Sequence, residues 1–137
     1  MDPLSIAASV IPVVQLSSTV ISCLAAVKSA PKECQRCTIE ASNLQSLLIN
    51  LCYLLEERKG GELWFSALRA LIAKDGPLEQ YRQALEELQS KLGAGSNESK
   101  IKRQLTWRFS KEEVASILAR LERLKTLVSI ALNMDHL

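Results

Sequence analysis

The sequence is short of rings and of bends. It holds 2 Phe, 2 Tyr and 2 Trp, with 4 Pro and 5 Gly, in 137 residues. With so few aromatics, Leu, Ile, Val and Ala must fill any core. So few turn-formers exclude a strand-rich fold with many connections and favour long helices. Histidine occurs once and cysteine 4 times, at positions 23, 34, 37 and 52. That leaves little material for a metal site, since zinc wants about four ligands. The cysteines fall inside helical patterns, which reads as reduced thiols of a cytosolic protein rather than a disulfide framework. There is no strong excess of one charge: 17 basic and 15 acidic residues leave a net +2. Whole-molecule electrostatics therefore call for no nucleic-acid partner. Charge is wholly missing from Pro3 to Val27.

What is there is a charge-free opening, PLSIAASVIPVVQLSSTVISCLAAV. It lacks the basic start of a secretory signal, having only Asp2 before it. About 20 residues at ~1.5 Å each would span a bilayer. Ser5, Ser9, Gln15, Ser17, Ser18, Thr19 and Ser22 dilute it, which argues against a constitutive transmembrane helix. Asp2-Pro3 is a helix start, and apolar residues then recur in two stripes. One holds Leu4, Ala7, Ile11, Val14, Ile21 and Ala25; the other holds Ile6, Val10, Val13, Val20, Leu24 and Val27. Such a helix belongs in the middle of a bundle or in lipid. Pro12 is expected to kink it or divide it in two.

Four further helices are expected. The second runs from Pro31 to about Arg58 on a seam of Cys37, Ala41, Leu44, Leu48, Leu51 and Leu55, and stops at Gly60-Gly61. The third, Glu62 to Lys74, buries Leu63, Trp64, Leu68, Leu71 and Ile72; the fourth runs from Pro77 to Leu92. GAGSNES at 93–99 reads as a flexible loop. SKEE at 110–113 is a capping box that opens a last helix ending near Asn133. No segment alternates as a strand does. The chain reads as one all-α bundle of four to five helices across 1–137.

The opening MDPLSIAASVI and the closing LTWRFSKEEVASILARLERLKTLVSIALNMDH together resemble the N-terminal HeLo-like domain of fungal STAND proteins, the NOD-like receptors of fungi. The resemblance covers essentially the whole chain. It implies a bundle similar to the four-helix killer domain of the necroptotic pseudokinase. It also implies a place ahead of nucleotide-binding and repeat domains, entered after Asp135-His136-Leu137. The function implied is signalling or execution in programmed cell death or incompatibility. Self-association on activation and recruitment from the cytoplasm to the plasma membrane go with it.

On that reading Leu4, Ile6, Val10, Ile11, Val13, Val14, Val20, Ile21 and Leu24 are the membrane-interaction candidates. Ser, Thr and Gln between them cost far less in lipid than charges would. Lys100, Lys102, Arg103, Arg108 and Lys111, with Trp107 interleaved, suit an anionic lipid surface or a partner. The blander alternatives are a core helix for the first set and a solvated loop, its aromatics tucked under the bundle, for the second. Cys34 and Cys37 lie on one helix face without a second ligand pair, and read as core thiols. The carboxylate pairs Glu56/Glu57, Glu86/Glu87 and Glu112/Glu113 read as solvated faces. No phosphate loop or nucleophile–base pairing stands out, so catalysis, cofactors and metals are not expected. Two other functions fit: a protein–protein adaptor that touches no lipid, and a structural dimer sharing the first helix.

Overall fold

The structure, a computed structural model, describes residues 3–57, 61–93 and 105–134. These form α1 (Pro3–Ala25), α2 (Lys32–Glu57), α3 (Glu62–Ile72), α4 (Pro77–Leu92) and α5 (Lys111–Asn133), with no strand among them. The fold is an all-α bundle, as the periodicity requires.

The apolar seams set the packing. On α2, Cys34, Cys37, Ala41, Leu44, Leu48, Leu51 and Leu55 are buried. On α5 the buried set is Val114, Ile117, Leu118, Leu121, Leu124, Val128 and Ala131. Helix α1 packs on α2 and α4, and α5 packs on the same two, while α1 and α5 do not meet. The four long helices thus form a square with α1 and α5 on one diagonal, and α3 lies across α1, α4 and α5. The Nε2 of Gln45 donates to the carbonyl of Val14 at 3.3 Å, tying antiparallel α1 and α2 together. Arg120 reaches Glu87 at 2.9 Å, and Lys91 pairs with Glu113, fixing α4 and α5 antiparallel.

The helix ends follow local chemistry. Ser110 accepts from the N–H of Glu113 at 3.1 Å while that carboxylate accepts from the N–H of Ser110 at 2.8 Å, the expected reciprocal cap. Gly93 closes α4 in the left-handed region at φ 75°, where a side chain would be strained. At Gly76 an added Cβ would stand 2.8 Å from the carbonyl of Ala73, so the α3–α4 turn needs glycine.

Several expectations are corrected. Pro12 does not divide α1 in two: one helix runs from Pro3 to Ala25 with Pro12 inside it. Pro12 has no N–H to offer the Ala8 carbonyl, and both residues are exposed on the solvent side of the helix, where an unpaired carbonyl costs little. Helix α3 ends at Ile72 rather than Lys74, and Leu63, expected in the core, is 67 % exposed. A short helix has room for one buried stripe, and Trp64 with Leu68 and Leu71 takes it. The expected Asp2 cap, Gly60 of the helix stop and positions 94–99 of the loop lie outside the described residues.

Candidate functional site

Helix α1 divides lengthwise. Ile6, Ala7, Val10, Val13, Val20 and Leu24 are buried, so the second apolar stripe, with Ala7 from the first, is the core face. Leu4 and Ile11 are 57 % and 44 % exposed, while Val14 and Ile21 are half-buried at the edge of the core. A helix apolar on most sides was expected in the middle of the bundle or in lipid; in the bundle α1 sits at a corner, packed on α2 and α4. Only 33 % of its most apolar 18-residue window is buried. By length and composition alone it suffices to cross a membrane.

The buried face holds one polar group. Ser17 is fully buried and its hydroxyl meets that of Tyr81 on α4 at 2.6 Å. The register foretold something of the kind: Val10, Val13, Val20 and Leu24 leave a vacancy one turn before Val20, and Ser17 occupies it. Burial pushes the Tyr81 phenol up to about 12, so it stays neutral and able to donate.

The exposed face is completed by α2. Ile11, Val14, Gln15, Ile49, Cys52 and Tyr53 line a groove of about 260 Å³ with Glu56 at its edge. Reading each helix by its seam missed this face, although Ile49 and Tyr53 are off-seam apolar residues and visible as such. The energetic contrast between the two faces is large. Exposing five fully buried aliphatic side chains costs about 1.5–3 kcal/mol each, on the scale of a whole domain's stability. Leu4 and Ile11 are already in water.

The basic and aromatic segment lies elsewhere. Trp107 and Phe109 are half-buried against the core with ring centroids 4.5 Å apart. Lys91 Nζ lies 5.3 Å from the Phe109 ring centre. The Lys28 N–H donates to the carbonyl of Leu105 at 3.4 Å, which places this segment beside the C-terminal end of α1. Arg108 and Lys111 are exposed there; Lys100, Lys102 and Arg103 lie outside the described residues. At ~1.5 Å per residue, Leu4 is more than about 30 Å from this end. Among the described residues, Arg108 and Lys111 therefore lie far from Leu4 and nearer to Ile21 and Leu24.

The thiols of Cys34 and Cys37 are fully buried. That of Cys34 donates to the carbonyl of Leu24 at 3.6 Å. Burial, aided by Cys34, pushes the Cys37 thiol up to about 11, far from the thiolate that metal binding or attack requires. Among the described residues no group of three or more His, Cys, Asp or Glu could hold a metal ion. Comparison with family models, with curated proteins and with solved structures gives no match in any of the three.

Proposed function

We propose that this chain is the N-terminal signalling or effector domain of a fungal NOD-like receptor of the HeLo-like type, cytoplasmic at rest and ahead of nucleotide-binding and repeat domains. On activation it self-associates and acts at the plasma membrane through α1 in cell death or incompatibility. It works without catalysis. One observation carries the reading: a charge-free helix with one apolar face stored in the core and another open at the surface. Leu4 and Ile11 make first contact with lipid. The face bearing Ile6, Val10, Val13, Val20 and Leu24 follows only if lipid replaces the core, because water cannot receive it. Arg108 and Lys111, with Lys100, Lys102 and Arg103 beside them in sequence and Trp107 between, attract anionic lipid at the other end.

The α1/α2 groove favours a second reading, an adaptor whose exposed apolar face recruits another protein. Flotation with anionic liposomes, together with dye release, separates the two. The effector reading expects clustered protein to float and to leak dye, and both to weaken in Leu4→Ser/Ile11→Ser. Clustered protein that stays off the liposomes overturns it in favour of the adaptor.

A further inference from the structure

The exposed large apolar side chains are not scattered. Among the described residues all except Ile39 fall on two faces: Leu4, Ile11, Ile49 and Tyr53 on α1/α2, and Leu63 and Ile130 on α3/α5. The second face is concave, a groove of about 290 Å³ lined by Ala67, Ala70, Leu71, Leu127 and Ile130, with Arg123 among them. Leu63 lies one turn before Ala67 on the same side of α3. Arg123 and Leu127 also line the adjoining hollow along α5 with Ala119, Thr126 and Glu122, the last of these paired with Lys125 at 4.0 Å, so the groove continues down that helix. Small alanine side chains keep the groove open to a bulky insert. The first face supplies one, since Tyr53 is 62 % exposed.

The charges complement each other as well. Glu56 borders the α1/α2 face and Arg123 the α3/α5 groove. Neither is in an ion pair among the described residues, where Glu40, Glu62, Glu79, Glu86, Glu87, and others have cationic partners. The faces also lie on opposed edges. Pro77 of α4 also lines the α3/α5 groove, which sets it on the α4/α5 edge; both α1 and α5 pack on α2 and α4 without touching, so that edge is opposite the α1/α2 edge.

We propose that the α1/α2 face of one copy docks into the α3/α5 groove of the next, Glu56 meeting Arg123, so that copies add head to tail. This rests on the self-association in the reading above and names its surfaces. Two different faces joined in this way are heterologous and do not close at a two-fold dimer. Ile11 lines this contact, while Leu4 does not line the groove and stays open to lipid in the assembled chain.

Sedimentation velocity of the 137-residue chain without lipid tests the proposal, with Glu56→Arg and Arg123→Glu as variants. Both positions are exposed, and unchanged far-ultraviolet circular dichroism verifies the fold. The wild-type chain is expected to grow beyond dimers as concentration rises, and less so in high salt. Each reversal alone weakens association about tenfold or more. Mixing the two variants restores it, because the new Arg faces the new Glu while the original Glu56 and Arg123 meet across the other junction. A wild-type chain that stays monomeric leaves the faces to other proteins and overturns the proposal. So does assembly that stops at a dimer, or a mixture no better than its components. Liposome binding by a monomeric chain would refute the docking and spare the membrane reading, and lipid-free assembly with no liposome binding would do the reverse.

Discussion

Ser17 on α1 and Tyr81 on α4, both fully buried, join their hydroxyls at 2.6 Å. A helix held by aliphatic contacts alone could slide by a turn with little change in buried area. A single buried hydrogen bond has one register in which both hydroxyls are satisfied, and so fixes the depth of α1 in the bundle.

That gives the first prediction. Tyr81→Phe or Ser17→Ala leaves one buried hydroxyl unpaired and should cost about 1–3 kcal/mol. The double variant removes both hydroxyls and should recover part of the loss. Urea denaturation of the two singles and the double, analysed as a cycle, measures the coupling; additive losses would dismiss the bond as a register lock.

The two faces of α1 should respond in opposite ways to charge. Val20→Asp places a carboxylate at a fully buried position, and its desolvation should cost upwards of about 3 kcal/mol or unfold the domain. Ile11→Asp falls on a 44 % exposed side chain and should shift stability by no more than about 1 kcal/mol. Thermal melts of both decide. Equal losses would contradict the division into stored and open faces.

Stability should depend on pH through Glu40 on α2 and Glu122 on α5, whose carboxyls are set against each other. The hydrogen bond they share holds Glu40 below the ordinary 4.5 and Glu122 above it. Burial and the Glu40 charge also raise Glu122, while Lys125 and Arg36 pull it the other way. A raised carboxyl binds its proton more tightly folded than unfolded. Its stabilisation is complete below 4.5 and fades as pH rises through the folded value. The lowered Glu40 contributes above 4.5 and fades as pH falls. Glu122→Gln keeps a hydrogen-bond donor toward Glu40 and removes the titration. The melting temperature of the variant should therefore fall less than that of the wild type from about pH 5 to about pH 8. Parallel pH profiles would rule the contact out.

Ser110→Ala removes one half of the α5 capping box and should cost about 1 kcal/mol. Amide exchange should show the loss concentrated in the first turn of α5, at Glu112 to Val114; uniform loss along the helix would point to a different origin.

The seams of α2, α4 and α5 could be read from sequence because a globular helix with one buried face repeats its apolar residues every three to four positions. The Ser110 cap was legible for the same kind of local reason, as four consecutive residues satisfy one another. Helix α1 resisted, because a stripe on each side gives the pattern no way to choose the inner one. Only the neighbours make that choice: Tyr81 and the α2 seam select the face carrying Ser17, leaving Leu4 and Ile11 outside. Leu63 failed likewise, since three turns of α3 present more apolar residues than one corner of the bundle can cover.

Periodicity and capping thus determined by themselves that this chain is a set of amphipathic helices led by one without charge. Those signals act within a turn or two of the backbone. Which apolar face is hidden, which off-seam residues assemble into an open surface, and that Arg108 and Lys111 lie at the far end from Leu4 were decided by tertiary packing. Burial is a property of what stands opposite a side chain, and in a bundle that neighbour comes from tens of residues away.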